Sequence, residues 1–164
     1  MLTSQLFYDK ASSRYFKEIT VDTTKRTADG RVERVSVTPK AAELLGTLKL
    51  IHGPLMFHQS GGCCDGSSPM CYPRGDFRLG NVDVYLGTVA DVPFYISASQ
   101  YEYWKHTHLT VDVVKGRGSG FSVEAPEGVR FLIRSRIFSD EEYAQLLAEG
   151  EPPRGDQTAS SINS

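Results

Sequence analysis

The sequence predicts an α+β fold, mostly β, with one helix before a cysteine-rich loop and another near the C-terminus. Apolar residues recur at helical spacing in only two stretches. Several short runs alternate or are rich in β-branched and aromatic residues, and glycine, proline, asparagine or aspartate punctuates the gaps between them. At 164 residues the chain is long enough for one well-filled core. It reads as a single globular domain over 1–150 and a polar, disordered tail over 151–164.

In chain order, Tyr15 to Val21 and Arg31 to Val37 both alternate around an Asp29-Gly30 turn signal, which predicts an N-terminal hairpin over about 15–37. Thr38 is an N-cap with Pro39 at the first helical position. Ala41, Ala42, Leu44, Leu45 and Leu48 then continue the helical pattern until Gly53. Leu55-Met56-Phe57-His58-Gln59 reads as a strand feeding the loop that follows. Further strands are expected at Val82 to Val89, Val92 to Ala98, His106 to Val114, Phe121 to Glu124 and Val129 to Phe138. Ser139-Asp140-Glu141-Glu142 is a capping box for a last helix carrying Tyr143, Leu146 and Leu147, closed by Gly150.

Composition narrows the function. With 40% hydrophobic and 23% charged residues and a formal net charge of −2, no bulk attraction to nucleic acid or an anionic membrane is expected. The N-terminus lacks a basic region followed by a long apolar one, and no apolar run has spanning length, so a cytoplasmic protein is expected. The Gly116-Arg117-Gly118-Ser119-Gly120 run lacks the Walker lysine and serves better as a hairpin turn than as a phosphate cradle. Serine-protease chemistry finds no nucleophile elbow. The aromatic cluster around Tyr101, Tyr103 and Trp104 suits a core or interface better than a pocket.

Every cysteine of the chain lies in Gly61-Gly62-Cys63-Cys64-Asp65-Gly66-Ser67-Ser68-Pro69-Met70-Cys71. An odd number of thiols in a reducing compartment argues against a disulfide scaffold and for metal ligation or thiol chemistry. His106 and His108 would share one face of a strand with Thr110 and Asp112, opposite Leu109, Val111 and Val113, and a His-x-His pair can chelate one cation. Zinc, iron or copper would accept those imidazoles with Cys63 or Cys64 and Cys71, and His58 and Glu124 are reserve ligands. In the thiol alternative Cys63 or Cys64 attacks a disulfide and Cys71 resolves it. A Cys64 to Cys71 bond would restrict the unfolded chain by roughly 2.5 kcal/mol. The bland alternative is that the thiols pack as small hydrophobes.

The run from His52 through Gly61-Gly62-Cys63-Cys64-Asp65-Gly66 to Cys71, followed by Lys115-Gly116-Arg117-Gly118-Ser119-Gly120-Phe121-Ser122, resembles the bacterial domain-of-unknown-function family 779 over roughly residues 38–147. Genes of that family often stand beside aldehyde dehydrogenases, so the resemblance implies an accessory role in aldehyde or alcohol metabolism with such a dehydrogenase as partner. Thr38-Pro39-Lys40-Ala41-Ala42, Gly61-Gly62-Cys63 and Gly118-Ser119-Gly120-Phe121 are similar, more distantly, to A-type iron–sulfur carriers of the HesB-like fold. That likeness implies a HesB-like β-sandwich and an iron–sulfur cluster with Cys63 as first ligand. The carriers' later Cys-Gly-Cys pair is replaced here by Arg130-Phe131-Leu132-Ile133-Arg134-Ser135.

The resulting expectation is a metal-binding or iron–sulfur accessory protein, with a thiol–disulfide reductase or a non-catalytic partner module as alternatives. Exposed aromatics on a small β-rich domain also raise the expectation of a homodimer.

Overall fold

A computed structural model of the chain describes residues 26–62, 64–118, 120–155 and 157. The expected first hairpin strand, Cys63 and Ser119 lie outside them. Two units are distinguished, Met1–Val32 and Glu33–Ser164. In the first, the Asp29-Gly30 signal makes a turn: Arg26 and Val32 bridge antiparallel, Gly30 takes φ 84°, and the Arg31 guanidinium reaches Asp29 at 2.7 Å.

The second unit contains strands β1 (Val35–Val37), β2 (Leu55–Gln59), β3 (Met70–Pro73), β4 (Asp83–Val89), β5 (Val92–Ser97), β6 (Thr107–Lys115) and β7 (Val129–Ile137). Its helices are α1 (Pro39–His52), α2 (Ala98–Trp104) and α3 (Asp140–Glu149). The strands form two sheets, ordered β1-β6-β7 and β3-β2-β5-β4. The α+β class with more strand than helix is therefore observed. Among the described residues no helix is long and apolar enough to cross a membrane.

The core lies where the sheets face one another, and Phe57 of β2 meets Phe131 of β7 edge-on at 5.0 Å. The close approach of β1 to β4 depends on Gly87. This residue sits at a register shift with φ 148°, and a Cβ there would lie 3.2 Å from Val35 Cγ1.

Local chemistry accounts for the helices. Thr38 Oγ1 accepts the Ala41 N–H at the start of α1 and donates to Asp112 of β6 at 2.9 Å, while Ala41, Leu45 and Leu48 point into the core. The capping box at Ser139 and Glu142 opens α3. The expected polarity of β6 also holds, since Leu109, Val111 and Val113 are core residues.

Several elements differ from expectation. The segment 31–37 contributes β1, which pairs parallel with β6; the hairpin partner expected at 15–21 lies outside the described residues. Phe121 to Glu124 is a turn leading into a 3-10 helix at Ala125–Glu127, because Ser122 and Glu124 bond across to other strands instead of joining a ladder. The cysteine segment contains a strand of its own, β3, antiparallel to β2. The aromatic run at 101–104 is helical: Ser97 caps α2, and Tyr101 and Trp104 are buried. Residues 153–155, expected in a disordered tail, lie along β4, where Tyr85 N–H donates to Pro153 O at 2.9 Å and Arg154 bridges Val84.

Phe131→Ala should cost about 3–5 kcal/mol through lost burial and the cavity left opposite Phe57. Urea unfolding with an unchanged m-value would show it as a shift in midpoint.

Candidate functional site

The cysteine loop is fastened to the outer edge of β7. Gly66 N–H donates to Ile133 O at 2.7 Å and Ile133 N–H to Ser67 O at 2.8 Å. The Asp65 carboxylate accepts the Ser135 N–H, and Arg130 Nη1 donates to Gly66 O at 3.2 Å and to Ser68 Oγ at 2.9 Å. Trp104 Nε1 holds the other end of the loop through Gly62 O at 3.1 Å. Gly62 itself needs φ 89°, and a Cβ there would run into the Ser67 side chain. Cys64 is exposed on this fastened loop.

Cys71 is in a different environment. It is fully buried in β3, its N–H donates to Ser122 Oγ at 2.8 Å, and its carbonyl accepts from Val123 N–H at 3.1 Å. Ser122 Oγ in turn donates to the Glu124 carboxylate, whose other oxygen accepts the Phe131 N–H at 3.4 Å. Burial, and secondarily the nearby Glu124 carboxylate, pushes the Cys71 thiol far above its ordinary range. Burial also raises Glu124, against the hydrogen bonds that favour its charged form.

The two histidines of the His-x-His pair have separate surroundings. His106 precedes β6, is exposed, and packs on Tyr143 of α3 at 4.9 Å. His108 is buried on the face of β6 away from the core, edge-on to Phe138 at 6.2 Å. Beside it Arg136 makes a bidentate pair with buried Glu142, both contacts 2.8 Å. That hydrogen bonding, with the Ser139 N–H and the nearby guanidinium and His108, holds Glu142 down at about 2 against the desolvation that opposes it.

His58, on β2, belongs to a third cluster. Its Nε2 lies 2.7 Å from Asp83 Oδ1 at the start of β4, its Nδ1 lies 2.7 Å from Ser60 Oγ, and its ring stacks on Phe77 at 4.2 Å. Asp83 Oδ2 accepts the Gly80 N–H at 2.9 Å. His58 and Asp83 are buried, whereas Ser60 is exposed at the head of the cysteine loop.

The family model for the Domain of unknown function (DUF779) matches residues 44–137, more than half of the chain, from the middle of α1 to the end of β7. The chain belongs to the DUF779 family. The comparison with curated proteins gives no match. The matched span holds all of the loop, the Glu124 clasp and the His58 cluster of this DUF779 chain.

Among the described residues, no group of three or more His, Cys, Asp or Glu is placed to hold a metal ion. Cys71 and Glu124 stand together, but His58, His106 and His108 each answer to other partners. The described donors thus do not fit a preassembled metal or iron–sulfur centre, and Cys63 lies outside them. Sequence reasoning passed over Asp83 and Ser60 altogether. The usable signal for Ser60 was local, since a residue two beyond His58 returns to the same side of an extended chain. Asp83 reaches His58 across the intervening β5 and left no mark in the spacing.

Because the folded pKa of Glu142 is depressed from 4.5 to about 2, its stabilising contribution is present above 4.5 and lost as pH falls through about 2. Arg136→Gln should therefore flatten the decline of Tm with acidification in that window. Thermal melts of both proteins across it give the comparison.

Proposed function

We propose that this DUF779 chain is a thiol-bearing accessory protein that exchanges disulfides with a partner through Cys64. The observation that supports this reading is the opposite placement of its two described thiols. Cys64 is exposed on a loop fastened at both ends, and Cys71 is sealed in the core with its thiolate disfavoured by burial and by Glu124. Thiolate is the attacking species, so Cys71 is unsuited to the resolving role and packs as a small apolar residue. The metal-centre reading lacks a comparable observation.

In the exchange, the Cys64 thiolate attacks one sulfur of a partner disulfide. The partner S–S bond breaks, a Cys64–partner disulfide forms, and the displaced partner thiolate takes a proton from solvent. A small thiol in solution then attacks the Cys64 sulfur, releasing the partner's second thiol and leaving Cys64 in a mixed disulfide with the small thiol. A second small thiol attacks that small-thiol sulfur, restoring Cys64 and forming the small-thiol disulfide. The partner class implied by the family resemblance is an aldehyde dehydrogenase, whose catalytic cysteine would be kept reduced. The order of α1, β2, the Gly-Gly-Cys loop and the later glycine-rich turn supports a HesB-like arrangement used here for thiol presentation.

In native protein at neutral pH, iodoacetamide should alkylate Cys64 at least about tenfold faster than Cys71, and unfolding should erase the difference. Peptide mass spectrometry reads both sites. Cys64→Ser should abolish the mixed disulfide formed with an oxidised aldehyde dehydrogenase, and Cys71→Ser should retain it. An adduct that persists in Cys64→Ser, or none with the wild type, removes the reading.

A further inference from the structure

We propose that Ser60, His58 and Asp83 form a nucleophile, base and orienting group for acyl transfer from small activated esters or thioesters. The site is independent of the thiol reading, because it uses none of the cysteines.

Its hydrogen bonds have a direction. An ionised Asp83 can only accept, so the 2.7 Å contact at His58 Nε2 places the ring proton on that nitrogen. Nδ1 of the neutral ring is then an acceptor, and the Ser60 hydroxyl, 2.7 Å away, donates to it. This is the proton path of a serine nucleophile: hydroxyl to imidazole, with the imidazole held in one tautomer by a carboxylate. The two ring nitrogens are exchanged relative to the usual serine hydrolase arrangement, but each group keeps its role.

The surroundings suit the task. Phe77 stacked at 4.2 Å fixes the imidazole plane, and the Gly80 N–H at 2.9 Å fixes Asp83. Gly155 approaches so closely that its Cβ position would be 3.2 Å from Asp83 Cβ, so the chain at 155 packs against Asp83. The base and orienter are buried, while Ser60 as a residue is exposed. Next to that hydroxyl, a Cβ on Gly61 would meet nothing within 4 Å, which leaves space for an acyl group. Burial of His58 calls for a partner on each ring nitrogen, and the partner on Nδ1 is a hydroxyl of an exposed residue.

In the step, Ser60 Oγ attacks the acyl carbonyl carbon as its proton passes to His58 Nδ1. The bond from that carbon to the leaving alkoxide or thiolate breaks, and the leaving group takes the proton from Nδ1. Water then adds to the acyl-serine with His58 as base, releasing the carboxylic acid and regenerating the hydroxyl.

The test uses the full chain with a fluorophosphonate probe, which phosphonylates activated serines with loss of fluoride and spares thiols, and with p-nitrophenyl acetate for turnover. The expected result is labelling of the peptide that contains Ser60, lost in Ser60→Ala, with esterase kcat falling by about 100-fold or more. Ser60 is exposed, so this variant should fold as the wild type does. Asp83 is a positioning residue: Asp83→Asn should lower kcat about tenfold or more with KM within about twofold. No label on Ser60, or esterase activity unchanged by Ser60→Ala, would overturn the proposal. Neither result bears on Cys64, whose adduct is scored separately.

Discussion

The open edge of β7 is the constraint around which this DUF779 chain is arranged. β6 covers one side of β7, and the other side presents the N–H groups of Phe131, Ile133 and Ser135. A buried or half-buried strand edge must find partners or lose the free energy of its unmade hydrogen bonds. Here the partners are, in turn, the Glu124 carboxylate, Ser67 O and the Asp65 carboxylate. Two carboxylates and one loop carbonyl take the place of a further strand, which explains why Glu124 sits at 1% exposure, bonded to Ser122 and Phe131.

That solution couples the two sheets. The turn at 122–124 reaches Cys71 on the outer edge of β3 with Ser122 and Val123, and reaches Phe131 on the edge of β7 with Glu124. The cysteine loop leaves β2 of the four-stranded sheet and binds Ile133 of the three-stranded one. Cys71 therefore belongs to the clasp between sheets, and its burial follows from the seam it closes. Cys64, by contrast, stays exposed on the loop.

The sequence showed the helices well because their signals are short-range: Thr38-Pro39 and the Ser139 box announce themselves within four residues, and both caps form. It showed β2 and the β4 to β7 strands for a similar reason, through apolar runs bounded by turn residues. It misread Phe121 to Glu124, where a strand-like composition serves side-chain bonds to two different edges. It left the helix at 98–104 unmarked, where Ser97 capping sets the element, although the core placement expected of this aromatic run agrees with the burial of Tyr101 and Trp104. Gathering His106, His108 and the thiols into one site assumed that the loop packs on β6. The loop instead meets the far edge of β7, and His108 packs edge-on to Phe138 near Glu142.

The same anchoring sets what the loop can do. Gln59 is buried and its amide donates to Gly61 O and Gly62 O, while Trp104 Nε1 donates to Gly62 O. The backbone just past Ser60 is therefore held by two side chains from the protein interior. Beyond Gly62 the chain is held again by Ile133, Asp65 and Arg130. A hydroxyl at one end and a thiol near the other stand on a short arc fixed at both feet, so ordering them for a reaction costs little conformational entropy. Ser60 and Cys64 lie on a loop, but their positions are set by two sheets and a helix.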